Sequence, residues 1–479
     1  MTEHPPEHLT GAAADLPGPG SLCWRLLGQR RMLLVTGRAL VLEAALPAGG
    51  AALAQHSTYR TRPLRRLELT LDSLQRLTYG DADTREKEFA RIRRVHRHIN
   101  GTDEQGRSYS GLHDESRLWI ALTLFDAMVE MERLAGRPLS RAAEAQLWDE
   151  WRTITVAFGI PDSVVPGDLA ACRAHWDAVL AEELEDNPEV RHLMGELYAT
   201  VPAPDWLARC PQPLWHLARL AAGSVMGAVL RADLPEAYRR RIGLRASGRD
   251  RAVSWLVHHA GRWALAGQPV RRRYLPLAAA AIGGGPLEPR TARRPLPRPR
   301  RASPDARPAR VSAFFDDVLD QTGDGFITRE DLYAMARGVC WPLDLTDAAE
   351  QRVYDAFDAW WTQLSALDED GDGRVSRAEF VNGTLPVEGA ASPYVQDGLL
   401  PAMAAVFDAA DGDASGHLDM AEYRKVFGPK LHPADLNRAF HELDRDGDGR
   451  VDKSEFLDAL GQFFTVRADH EAGARLFGR

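Results

Sequence analysis

Along the first two-thirds of the chain, apolar side chains return every three or four residues, the spacing that gathers them on one face of a helix. Between Leu64 and Tyr79, Leu67, Leu71, Leu74 and Leu77 line one side, while Arg65, Glu68, Asp72 and Arg76 point outward. At the same spacing Phe89, Ile92, His96 and Ile99 share a face, with Val95 at its edge and Lys87, Arg91, Arg94 and His98 opposite. His96 is therefore expected to face the interior, either as a ligand or as a core histidine bonded to a backbone carbonyl. Leu118, Leu122, Phe125 and Val129 mark a long helix over 112–134, stopped by Gly136 and Pro138. Another opens at Ser140 and runs through Trp148 and Trp151 to Phe158, closed by Gly159 and Pro161. Further helices are expected near 169–184, 205–220 and 249–265. Met32 to Ala54 reads as a buried helix followed by a turn at Pro47, Gly49 and Gly50. Period-two alternation is almost absent, so the expected fold class is all-α.

A chain of 479 residues is too long for one ordinary core. Its 44% apolar and 27% charged content is that of soluble globular proteins. The net charge of −9 hides an asymmetry: from residue 311 on there are about 33 acidic against about 15 basic side chains, and the part before is basic. Between them, 282–310 is dense in proline and arginine, which forbids helix and extends the chain. The expected division is a flexible N-terminus (1–19), a helical domain (20–281), this basic linker, an acidic module (311–465) and a tail (466–479). The linker carries no aromatic interleaving, so nucleic acid is not an expected partner. The linker reads as a solvated tether, with an intramolecular contact with the acidic module as the alternative. Cys23, Cys172, Cys210 and Cys340 form no CxxC pair, which fits reduced thiols in a cytoplasm. Arg38 and Glu43 interrupt the most apolar run, and neither a signal peptide nor a transmembrane segment is expected.

The acidic module repeats a motif with a defined physical job. A calcium loop of twelve residues supplies oxygen ligands from positions 1, 3, 5, 7 (through its carbonyl) and 12, with glycine at 6 for the sharp turn. Asp368, Asp370, Asp372, Arg374 and Glu379 occupy these positions around Gly373; Asp444, Asp446, Asp448, Arg450 and Glu455 do so around Gly449. Asp411, Asp413, Ser415, His417 and Glu422 form a third set with a neutral ligand at position 5. Asp320, Thr322, Asp324, Phe326 and Asp331 form the weakest, because Thr322 replaces a carboxylate and Asp331 is a methylene short of glutamate. Up to four calcium ions are thus expected. Position 8 is apolar in each loop (Ile327, Val375, Leu418, Val451), so the loops should pair first with second and third with fourth through short β bridges, giving a two-lobed module. The four loops, with wide spacing between the first two, resemble calerythrin and the sarcoplasmic calcium-binding proteins, which implies buffering or compact sensing.

The helical domain also carries a resemblance. Gly20-Ser-Leu-Cys-Trp-Arg-Leu-Leu-Gly28, Gly37-Arg-Ala-Leu40, Gln55-His-Ser57 and Arg66 with Thr70 follow one another in order. They are followed by Arg93-Arg-Val-His96, Gly101, Tyr109 and Trp119, then Glu150-Trp-Arg152, Gly159-Ile-Pro161, Gly243-Leu-Arg245 and Arg273-Tyr-Leu-Pro276. Together they resemble the MpaB-type oxygenases and latex-clearing rubber oxygenases. That resemblance implies haem b, oxidative cleavage of double bonds in an apolar isoprenoid-like substrate, and His96 as iron ligand with Arg66 and Thr70 beside the haem. It implies a shared pocket position for His56 as well. Leu69 stands where the rubber oxygenases have a lysine, and no acid/base residue carries over by motif. Of the neighbours His258 and His259, only one can face inward. Two classes stay open: a haem-dependent oxygenase fused to a calcium module, and a calcium sensor or buffer whose helical domain is a haem-free scaffold. A non-haem metal enzyme lacks any His/carboxylate cluster at ligand spacing.

Overall fold

The computed structural model describes residues 16–57, 59–60, 63–200, 212–283, 307–385, 393–427 and 433–465. Most of the linker and the two chain ends lie outside the described residues, and so does the first part of the helix expected near 205–220. The described chain forms two units, one of residues up to 283 apart from 55–60, the other of 307–465 together with that short piece.

Among its described residues the first unit is almost entirely helical. Its elements are α1 (Leu22–Leu27), α2 (Met32–Ala45), α3 (Pro47–His56), α4 (Pro63–Tyr79), α5 (Ala82–Arg97), α6 (Asp114–Leu134), α7 (Arg141–Ala157) and α8 (Leu169–Glu182). They continue through α9 (Pro188–Arg191), α10 (Leu197–Thr200), α11 (Gln212–Asp233), α12 (Glu236–Arg241), α13 (Gly248–Leu265), α14 (Val270–Arg273) and α15 (Pro276–Gly283). A single hairpin, β1 (Asn100–Thr102) with β2 (Ser108–Ser110), follows α5. Its strands are too short to display a period in the sequence. Side-chain caps set several helix starts: Asp81 accepts from the Thr84 amide, Ser140 from the Ala143 amide, and Ser247 with Asp250 closes a capping box.

The core of this unit lies between α2 and α6. Val35, Ala39 and Leu42 on one, and Leu118, Leu122 and Phe125 on the other, are buried. Trp119 donates its Nε1–H to the Leu42 carbonyl at 2.9 Å and stacks on Trp176, so a large apolar ring enters the core with its polar atom satisfied. One expectation fails here. Pro47, Gly49 and Gly50 do not make a turn; Pro47 starts α3, bent 102° from α2. Proline is well suited to the first helical turn, where its missing N–H is no loss. Gly49 is required because a Cβ there would collide with the Glu43 carbonyl.

In the second unit the helices bracket the loops: α16 (Arg307–Phe314), α17 (Arg329–Cys340), α18 (Asp347–Ser365), α19 (Arg377–Thr384), α20 (Leu400–Ala410), α21 (Met420–Phe427), α22 (Pro433–Leu443) and α23 (Lys453–Thr465). The position-8 residues pair as their apolar character predicts. Ile327 faces Val375 between β3 (Phe326–Ile327) and β4 (Val375–Ser376), and Leu418 faces Val451 between β5 (His417–Leu418) and β6 (Val451–Asp452). All four are fully buried. The apolar residues of both loop pairs merge into one core running from Val311 to Phe464. At its centre Trp360 is fully buried against Phe357 and Tyr394. Trp360→Ala is expected to cost about 3–5 kcal/mol of stability, read as a lowered urea midpoint.

Candidate functional site

Helices α4 and α5 turn back on each other at Gly80–Asp81, with Ser73 donating to Glu88 across the pair. Arg66 lies fourteen residues before Gly80 and His96 sixteen after it, so at about 1.5 Å per residue they stand at the same end of this hairpin. Arg66 and Thr70 touch: the guanidinium donates to the Thr70 hydroxyl, which donates in turn to the Arg66 carbonyl at 3.0 Å. The other side of Arg66 meets α2 electrostatically. Burial lowers the pKa of its guanidinium, and the carboxylate of Glu43 raises it.

Glu43 is the residue that motif reading missed. Its carboxyl is pushed up to about 7 by burial, against opposing contributions from the Thr123 hydroxyl and Arg66. Thr123 Oγ1 lies 2.9 Å from Glu43 Oε1 and 2.7 Å from the Ile120 carbonyl. One hydroxyl proton serves one acceptor. With the carboxyl protonated, its O–H donates to Thr123 and Thr123 donates to Ile120, so both bonds form together. The signal was present in the sequence: a lone acid inside an apolar run, there weighed only against a membrane span.

His96 is not the buried residue its spacing predicts. The face of α5 that packs inward carries Glu88, Phe89 and Val95; Ile92, His96 and Ile99 are half-buried. Arg91, expected on the outer face, pairs with the buried Glu88, which also accepts from Ser73, so a polar group occupies part of the inward face. Gly111, on the segment after β2, packs on the last turn of α5; a Cβ there would lie 2.9 Å from the His96 carbonyl. His56 is buried. Of the histidine pair, His258 points inward and bonds to Asp233 at 2.7 Å, and His259 stacks on Trp255.

The loops of the second unit are preformed. In the second, Asp368 accepts from the Gly371 and Gly373 amides at 2.7 and 2.9 Å, and Glu379 from the Glu369 and Ser376 amides. The fourth repeats this with Asp444 and Glu455, the third with Asp411 and Glu422. The position-6 glycines Gly325, Gly373, Gly416 and Gly449 all have φ between 82° and 89°, which only glycine adopts without strain. Three acidic clusters result: Asp368, Asp370 and Glu379; Asp411, Asp413 and Glu422; Asp444, Asp446 and Glu455. Asp372, Ser415 and Asp448 stand at position 5, and the carbonyls of Arg374, His417 and Arg450 at position 7. Hydrogen bonds from Ser376 and Glu369 hold Glu379 down at about 2, so it is fully ionised at neutral pH.

The first loop is different. With Thr322 at position 3, the first loop has, among the described residues, no acid cluster of the kind that positions 1, 3 and 12 form in the others. Asp331 is fully buried, and four donors fill its oxygens: the amides of Gln321, Thr322 and Thr328 and the Thr328 hydroxyl. Burial raises its pKa to about 7. The shorter acid closes a capping box with Thr328 at the start of α17, as Glu379 does with Ser376 at α19. Thr322 and the Phe326 carbonyl keep their loop positions without a third converging carboxylate.

A helical domain joined to preformed calcium loops defines a two-part class, an oxygenase-type fold with an EF-hand module. Residues 24–266 match the family described as ER-bound oxygenase mpaB/B'/rubber oxygenase, catalytic domain, and the chain belongs to that family. Residues 323–382 match an EF-hand domain pair, and 403–427 and 435–463 match single EF hands. Among curated proteins, the probable calcium-binding protein CML16 of Oryza sativa subsp. japonica is 32% identical over 24% of this chain and 59% of its own. The calcium-binding protein LPS1-beta of Lytechinus pictus is 31% identical over 24% of this chain and 43% of its own. The chain thus spans about half the length of these relatives. Among solved structures, a Streptomyces coelicolor calcium-binding protein is 29% identical over 33% of this chain and 98% of its own, with a TM-score of 0.29. A sarcoplasmic calcium-binding protein from amphioxus is 22% identical over 36% and 97%, with a TM-score of 0.30. The module binds calcium.

Proposed function

We propose that the helical unit is a haem b-dependent oxygenase acting on an apolar, unsaturated chain, and that calcium stabilises the module attached to it. The observation that carries the reading is the grouping of Glu43, Thr123, Arg66 and Thr70, with His96 at the same end of the α4–α5 hairpin. The donor set fits a haem. A half-buried imidazole suits iron, and a guanidinium in a desolvated setting suits a propionate. When bound, the haem would supply the iron at which dioxygen is activated. Glu43 is the group able to hold or release a proton near neutral pH, on the oxygen that Thr123 meets. The apolar interior around Leu42, Trp119 and Leu122 excludes water from such a site.

Calcium has a second reading that one observation favours. Among the described residues, the C-terminal unit exposes no large apolar side chain. An opened sensor presents such a groove to its partner, so a compact buffer or a structural role suits this unit better than a calmodulin-like switch. The linker through which the acidic module would contact its neighbour lies mostly outside the described residues.

The visible absorption spectrum tests the haem. After haem-supplemented expression, the wild-type chain is expected to show a strong Soret band and His96→Ala to lose it. No band in either protein would leave a calcium-binding protein with a haem-free helical unit.

A further inference from the structure

Helix α13 is inside out. Its inward face is polar: Asp250, Ser254 and His258 are buried. Each has a partner. Asp250 pairs with Arg231 at 2.8 Å, Ser254 donates to Asp233 at 2.5 Å, and His258 Nε2 lies 2.7 Å from the other oxygen of Asp233. Arg262 donates to the Ala135 carbonyl at 2.8 Å. The outward face is apolar. Trp255, Leu256 and Trp263 are 54%, 57% and 58% exposed, and His259 joins the two indoles into one ridge, stacked on Trp255 with ring centres 4.3 Å apart. The neighbouring α11 exposes Leu217, Leu220 and Val225.

A rotation that buried the tryptophans would strand Asp250, Ser254 and His258 without partners, a cost of the kind native folds avoid. The polar network therefore fixes the apolar stripe outward. Isolated apolar side chains are common on surfaces, but an ordered ridge with two tryptophans marks a surface that meets something apolar.

Charge says what that is. From Glu236 to Arg273 there are ten arginines, no lysine, and two acids, of which Asp250 is buried and paired. Arg249 and Arg251 are exposed in the first turn of α13. Cations there sit at the positive end of the helix dipole, where they weaken the helix, so their placement opposes local stability. Arg271, Arg272 and Arg273 stand exposed just beyond its far end. Tryptophan belongs at the boundary between water and hydrocarbon, and arginine beside it attracts anionic headgroups. A second copy of this face is disfavoured, because an isologous contact would set arginine against arginine.

We propose that the exposed stripe of α13 docks the chain on an anionic lipid surface, with Trp255, Leu256 and Trp263 entering the headgroup layer and the flanking arginines meeting its charge. This is peripheral attachment: no single helix among the described residues is long and apolar enough to cross a membrane. It does not depend on the haem reading.

Flotation of the full chain with lipid vesicles, in a chelator so that calcium bridges nothing, provides the test. Binding is expected to phosphatidylcholine vesicles containing phosphatidylglycerol, and much less to phosphatidylcholine alone. Trp255→Ser with Trp263→Ser should raise the lipid concentration for half-binding about a hundredfold, at about tenfold per anchor. Arg249→Gln with Arg251→Gln should raise it about thirtyfold on the anionic vesicles. All four residues are exposed, so circular dichroism and the unfolding midpoint should match wild type. Equal binding to both vesicle types would overturn the proposal, as would full binding by the tryptophan variant. A wild-type dimer that ignores vesicles and dissociates in the tryptophan variant would make the stripe a self-interface instead.

Discussion

Stripping calcium with a chelator should lower the unfolding temperature of the C-terminal unit by about 20 °C. Each ion held at a hundred times its dissociation constant adds about 2.7 kcal/mol to the folded state, so three ions add about 8 kcal/mol. In a unit of this size each kcal/mol moves the midpoint by about 2–4 °C. The three clusters also gather carboxylates that repel one another unless a cation lies between them. Calorimetric titration should count three ions, not the four that loop spacing alone allows. Glu455→Gln removes half of a bidentate ligand and should reduce the count to two. Asp331→Asn should leave it at three, because Thr322 replaces the position-3 carboxylate of that loop and Asp331 is a short, fully buried acid. A fourth ion, or a count that falls in the Asp331 variant, would refute this account of the first loop.

Glu43→Gln carries the second large effect, and its sign changes with the property measured. A carboxyl at about 7 in the fold and near 4.5 when unfolded binds its proton more tightly in the native state. Its contribution is therefore most favourable below pH 4.5 and declines as pH rises through the window to 7. Above 7 the cost is full, at up to about 3 kcal/mol. Glutamine keeps the shape and the Thr123 bond without the ionisation. The variant should unfold at a higher temperature than wild type at pH 8 and at nearly the same temperature at pH 4.5. Turnover should move oppositely. Dioxygen uptake on an isoprenoid oligomer should fall about 10²–10⁴-fold in the variant, as on loss of a general base. The wild-type rate should rise with pH around 7. A variant less stable at pH 8 would show that Glu43 is ionised and well paired.

The calcium loops were legible because each position has a separate physical duty, so twelve residues carry a complete description of the site. Even the bridge partners Ile327–Val375 and Leu418–Val451 followed from one apolar position per loop. The helices of the first unit were legible for a similar reason, since Leu118, Leu122 and Phe125 repeat one contact turn after turn. Three features were not. The half-burial of His96 was hidden, because the inward face of α5 also holds Glu88, paired with Arg91, which periodicity reads as an outward acid. The start of α3 at Pro47 depended on proline serving as an opener, where its neighbours Gly49 and Gly50 read as a stop. Glu43 owes its character to Thr123 and Arg66, eighty and twenty-three positions away, and no local pattern encodes that meeting.

The single core running from Val311 to Phe464 also sets how the module answers a rising ion concentration. Separate cores would let each loop pair load and relax by itself, giving a shallow, two-stage response. Phe314 and Phe315 pack on Phe380, and Phe314 also meets Phe463 and Phe464, so the first helix of the unit is tied to its last. An ion entering one pair then firms the packing beneath the other, and the next ion finds part of the ordering already done. Loading is therefore expected to be collective, read as a calorimetric titration that completes within a narrow band of concentration.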